Sequence, residues 1–139
     1  MPAYRVYDDH ERALLRLAAR GHWAGAAVRW LLTTGCTRAD LCRLTWSTIE
    51  AIDPTHPMFQ EMNEVRWRAA RSARRLGRDI ALMPVFPNAY GNRMNPGTFR
   101  DLLSSLLERG RRMAEDQPER KVDNAFTTYM AKGNRESLA

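Results

Sequence analysis

The chain has 139 residues, 44% hydrophobic and 27% charged, with a formal net charge of +6 at pH 7. That length favours one domain over two marginal ones, and no apolar run approaches the roughly 20 residues that span a bilayer. The opening MPAYRVYDDHERALL lacks the cationic-then-apolar order of a signal peptide, so the expected location is cytoplasmic, with no membrane partner.

Asp8 or Asp9 is placed to cap a first helix, because a short acidic side chain accepts the free amides of a first turn. Leu14, Leu15, Leu17 and Ala18 follow helical spacing, and Gly21 supplies a left-handed stop. A second helix runs from about Trp23 to Leu32, with Ala26, Ala27, Trp30 and Leu31 inward, and Thr33-Thr34-Gly35 closes it. Thr37 opens a third. TRAD reads as a capping box in which Thr37 and Asp40 satisfy each other's amides, followed by the apolar stripe Leu41, Leu44 and Ile49. Residues 1–50 are thus a three-helix opening.

DPTHP, at residues 53–57, interrupts the helical pattern with two prolines. EVRWRAA alternates weakly, RSARRLGRD holds a turn centred on Gly77, and DIALMPVF is a short apolar run ended by Pro87. These features predict an antiparallel hairpin or small three-stranded sheet over residues 63–86, within a basic segment spanning 60–86. NAYGNRMNPG is a loop. Asn95 then caps, Pro96 takes the first helical position, and FRDLLSSLLER runs to a Gly110 stop with Phe99, Leu102, Leu103, Leu106 and Leu107 inward. RRMAEDQPERK reads as a mobile or frayed extension, and Asp123 caps a last short helix carrying Phe126, Tyr129 and Met130 to Gly133, so 95–133 holds two C-terminal helices. The expected fold is α+β and mainly α, a single domain over 1–139.

Charge is regional. Residues 1–64 hold seven Arg against eight acids, a balance of −1, whereas residues 65–139 hold fifteen Lys plus Arg against eight acids, a balance of +7. The densest part is RWRAARSARRLGR, with Arg66, Arg68, Arg71, Arg74, Arg75 and Arg78. Phosphate backbone is the natural partner of such a stripe, because each neutralised phosphate releases counterions. A merely solvated face is the alternative, since twenty of the twenty-two basic residues are Arg. Trp67, amid these arginines, is expected to cover a helix from a strand more than to stack on a base.

Cys36 and Cys42 suit neither a disulfide nor a CxxC clamp, and are expected to be reduced with one buried. His10, His22 and His56 show no ligand spacing, so neither metal nor cofactor is expected. Tyr90 reads as a surface or stacking residue and Tyr129 as a packing residue. Residues 24–47 also fit a helix-turn-helix, in which Arg38, Arg43 and Thr45 or Ser47 would project from the second helix into a major groove.

Two stretches carry a family resemblance. In the first, Thr34-Gly35, Asp40-Leu41, Leu44, Trp46 and Ile49 fall without a gap on a pattern of the tyrosine recombinases, the phage-integrase family. There, a helix ends in TG and the next carries an acid, a Leu and a Trp. The second, VFPNAYGNRMNPGTFRDLLSSLLERG, is similar to the family's Phe, Gly turn and Gly-terminated helix. The resemblance implies a tyrosine-recombinase-like domain that cuts DNA with a tyrosine, but the catalytic positions depart from it. The family's first arginine falls two places after the Gly, where this chain has Thr37, with Arg38 turned by about 100° along the helix start. The lysine on the family's sheet turn is matched only by Arg71, Arg74 or Arg75, and where its His-x-x-Arg box belongs this chain offers Arg120 and Asp123, the latter an acid in place of a phosphate-binding cation. The second histidine and the nucleophilic tyrosine have no counterpart after Ala139, which makes the expected domain a truncated one.

Phosphoryl transfer depends on clustered cations, so these losses point away from catalysis. The function expected is a non-catalytic DNA-binding regulator of transcription or of mobile-element recombination. Its partner is double-stranded DNA, gripped by the arginines of 66–78 with Arg38, Arg43 and Arg93 as helpers. The alternative is an interaction antagonist that docks on a recombinase or other protein without DNA, and a homodimer is a further possible partner state.

Overall fold

The computed structural model describes residues 7–49 and 52–116, and the helix expected at 123–133 lies outside them. Five helices form: α1 (Asp9–Ala19), α2 (Gly25–Thr34), α3 (Arg38–Arg43), α4 (Phe59–Leu76) and α5 (Pro96–Asp116), with a 3-10 turn at Ile80–Leu82.

Local signals explain the first three. Asp8 accepts from the Glu11 amide while the Glu11 carboxylate returns to the Asp8 amide, so the reciprocal capping box sits at α1. At α3 only the first half forms among the described residues, with Thr37 Oγ1 accepting from Asp40 N–H at 3.1 Å. Gly35, at φ 69°, takes the left-handed C-cap of α2, a conformation that costs a residue without a Cβ little. The third helix is shorter than expected, because Leu44 turns extended at its end. Trp46 is nevertheless buried, while Leu44 and Ile49 are half-buried against the core.

One hydrophobic cluster joins every helix. Leu14, Leu15 and Leu17 of α1 meet Val28 and Leu32 of α2, Leu41 of α3, and Phe99, Leu103, Leu106 and Leu107 of α5, with Met58 and Met62 at the start of α4. Close backbone crossings tighten it. A Cβ on Gly25 would meet the Ala19 carbonyl oxygen at 2.6 Å, and one on Gly110 would meet that of Leu14 at 2.5 Å. Gly110 is therefore a contact residue inside α5, not the stop expected of it, and the helix continues to Asp116. Arg12 also ties α1 to α2, its Nη2 donating to the Leu32 carbonyl at 2.6 Å.

The hairpin or sheet expected over 60–86, and with it the α+β class, is not formed: the described residues contain helices and two isolated bridges but no strand. Most of that segment is α4. Ala and Arg are among the strongest helix formers, and the run alternates only by accident of its arginines. Gly77, read as a hairpin turn, is instead the left-handed C-cap of α4 at φ 67°, and its amide donates to the Ala73 and Arg74 carbonyls. The apolar run after it does pair with another segment, but with residues 44–47: Val85 N–H donates to Leu44 O at 2.9 Å and Ser47 N–H to Ala81 O at 3.0 Å. Pro84 sits in the Thr45 bridge and Pro87 in the Arg93 bridge, and neither has an amide with which to extend a ladder.

Candidate nucleic-acid interface

The first turn of α4 carries its large apolar and ionic anchors. Met58 and Met62 enter the core, and Arg29 of α2 clasps Glu61 in a two-pronged pair, with Nε donating to Oε1 at 3.0 Å and Nη2 donating to Oε2. Farther along, Ala73 is the one residue of α4 that is fully buried. Small side chains, Ala69, Ala70, Ser72 and Ala73, make up much of the inward surface, so this helix lies on the body without the large apolar stripe that usually betrays such an element.

The outward side is arginine. At about 100° per residue, Arg68, Arg71 and Arg75 fall within about 60° of one another, opposite Met62 and Ala73, with Trp67 and Arg74 along one edge. All are exposed. Arg68, Arg71, Arg74 and Arg75 line a shallow open depression with Ser72, about 430 Å³ in volume. None of these four forms an ion pair among the described residues, in contrast to α5, where Arg100 meets Asp101 and Arg111 meets Glu11 and Glu108. Glu64 is the sole acid between residues 63 and 78. Like charges one turn apart, such as Arg71 and Arg75, oppose the helix by roughly 0.2–0.5 kcal/mol per pair. An anion laid along the face would relieve that repulsion.

The remaining predicted residues go elsewhere. Arg66 turns toward the body, its guanidinium 5.7 Å from the centre of the Trp46 ring. Arg78 is exposed just beyond the Gly77 cap, and its amide donates to Ala73 O. Arg38 is half-buried at the start of α3 and Arg93 is exposed in the loop before α5, and both act on the Cys42 thiol through their charge. Burial, and then the neighbouring Cys36, push the Cys42 thiol above its ordinary value, while these two guanidinium groups oppose the rise. Arg43 is exposed at the end of α3.

The helix-turn-helix expectation meets a six-residue α3, under two turns long, with Leu41 and Cys42 buried. Thr45 is spent on hydrogen bonds to Ser47 and Thr48. Thr37 caps α3, and Arg38 is half-buried at its first position.

Trp67 does not cover a helix. It is 63% exposed, with the Arg71 guanidinium 4.9 Å from its ring centre. Tyr90 is 88% exposed in its loop, as expected of a surface residue. Sequence reasoning missed that α4 is one continuous helix. The signal for it was the 3-4 spacing of Val65, Ala69, Ser72, Ala73 and Leu76 hidden between arginines.

No helix among the described residues is long and apolar enough to cross a membrane. No protein-family model, curated protein or solved structure matches the chain.

Proposed function

We propose that the protein is a non-catalytic DNA-binding regulator, acting on transcription or on recombination of a mobile element, and that α4 is its grip on the phosphate backbone. One observation carries this: a single continuous helix presents Arg68, Arg71, Arg74 and Arg75 together on an exposed side, with no acidic partner among the described residues. Clustered guanidinium groups bind phosphates as paired donors and gain from the counterions they displace. Kinship with tyrosine recombinases enters only through the opening helices and the segment leading into α5, since α4 stands where the resemblance implies a sheet. The non-catalytic part of the proposal is supported by Thr37, which is committed to capping α3 where the family's first arginine would sit.

Titration with duplex DNA at rising salt tests this. Four phosphates neutralised by α4 imply a slope of log K against log salt of about −3.6, at about −0.9 per phosphate. Replacing Arg68, Arg71, Arg74 and Arg75 together with Gln should abolish most of that slope. Absence of binding at low salt, or binding indifferent to salt, refutes the proposal.

A second reading, docking on a recombinase or other protein partner without DNA, has one observation in its favour: Leu76 and Leu82 are exposed near the end of α4, at 51% and 73%. Capture of purified recombinase with DNA digested away, undiminished by the arginine substitutions, would select it.

A further inference from the structure

The four tryptophans have different surroundings. Trp46 is buried, and Trp30 is half-buried between His56 and Phe86 at 5.4 and 6.0 Å. Trp23, 52% exposed, lies 5.4 Å from the His22 ring. Trp67 alone stands on the arginine helix, the most open of the four, and its only ring contact among the described residues is the Arg71 guanidinium. Helical side chains lean toward the N-terminus, which is why Arg71, one turn later, reaches back onto the indole. The turn before Trp67 carries the exposed Asn63 and Glu64, so the ring is not capped by an apolar neighbour on that side.

Such a cation contact stabilises an exposed site by only about 0.5–1 kcal/mol, and leaves most of the indole surface in water. The arginines around it fix what can approach. Trp67, Arg71 and Arg74 lie in one row along α4, with Arg68 and Arg75 in the adjacent row, so a strand whose phosphates follow the guanidinium groups carries its bases past the indole. In an intact duplex those bases are paired and stacked on each other, and present no π-face to a side chain. An unpaired base does present one.

We infer that Trp67, braced by Arg71, is a stacking platform for an unpaired base, so that the α4 face prefers nucleic acid with a single-stranded stretch over continuous duplex; this rests on the phosphate-binding role of α4 proposed above. Arg68, Arg74 and Arg75 hold the flanking phosphates. Base-on-aromatic stacking of this kind tolerates any base identity, and its loss weakens binding roughly 5- to 150-fold per base.

The test is an anisotropy titration of the full chain with three labelled probes: a single-stranded 20-nucleotide thymidine oligomer, the same backbone with abasic sites, and a blunt duplex of matched length. The single strand should bind more tightly than its abasic twin at equal charge. Trp67→Ala should weaken the thymidine oligomer roughly 5- to 150-fold while leaving the abasic strand and the duplex within twofold. Trp67→Phe should restore most of the loss, and binding should quench tryptophan fluorescence in Trp23→Phe but not in Trp67→Ala. A Trp67→Ala protein that keeps its thymidine affinity, or loses affinity for all three probes equally, overturns the stacking role. The phosphate grip would survive that result if the Arg68→Gln/Arg75→Gln double variant, which leaves the Trp67 contact intact, still weakened every probe. Failure of the unaltered protein to bind any probe at low salt overturns both.

Discussion

Gly110→Ala probes the closest approach in the core. A Cβ at this position would stand 2.5 Å from the Leu14 carbonyl oxygen, 3.0 Å from its carbonyl carbon and 3.1 Å from its Cβ. An ordinary carbon-to-oxygen contact is about 3.3–3.6 Å, so α5 and α1 must part by roughly 1 Å. The obstacle is backbone, which cannot swing aside as a side chain does. Parting the helices loosens Leu14, Leu103, Leu106 and Leu107 together, and a gap of that order forfeits a quarter to a half of each affected contact. Overpacking of this kind costs about 1–3 kcal/mol, here toward the upper limit, against about 1 kcal/mol returned by the better helix propensity of Ala. The expected net loss is about 2 kcal/mol. In urea unfolding followed by circular dichroism this lowers the midpoint by about 1 M, for a typical slope near 2 kcal/mol per molar. Ser104→Ala, on the exposed side of the same helix, should change stability by less than about 0.5 kcal/mol. A Gly110→Ala protein as stable as the parent would mean that α5 does not cross α1 at this residue.

Further outcomes follow from the anchors and titrating groups. Glu61→Gln weakens the clasp on Arg29, both partners being about a quarter exposed, and should cost about 1 kcal/mol with faster amide exchange at the start of α4; unchanged exchange there would deny the clasp its role. His22 accepts the Ala24 amide at Nδ1, 3.0 Å away, and burial, with the charge of Arg109 second, holds its pKa below the ordinary 6.5. The unfolded chain therefore takes up a proton first as pH falls below about 6.5. Stability drops from that point downward, until the folded pKa is passed, and His22→Asn should flatten the decline measured by denaturant midpoints. Burial raises both thiols above their ordinary values. Near pH 8 a disulfide reagent should label half-buried Cys36 slowly and buried Cys42 more slowly still, with denaturant erasing the difference. The same upward shifts favour the protonated thiols of the folded state, so their contribution is lost as pH climbs past the unfolded thiol value near 9.

The parts of the fold legible in the sequence were those with a local chemical cause. Asp8, Gly35, Thr37 and Asn95 act on amides or dihedrals within a few residues, and each marks a helix end where it was expected. The leucines of α1 and α5 are large enough for their spacing to name a buried face. Two misreadings concern glycine, whose meaning depends on distant partners. Gly77 adopts the same left-handed geometry in a hairpin or a helix cap, and Gly110 would stop a helix or admit a neighbour with equal ease. The arginine helix was hidden because alanine and serine contribute too little apolar signal to reveal which side lies down. The arginines themselves were legible as a charge cluster; their gathering on one outward side, and the departure of Arg66 to Trp46, depend on the helix being there.

The contact between Arg111 and Glu11, 3.7 Å across, puts the late turns of α5 beside the first turn of α1. The helical body is thus entered and left at a common corner. Labels placed on exposed residues of these two turns, such as Asp9 and Arg112, would crowd one region, which makes that corner a natural handle for immobilising the molecule.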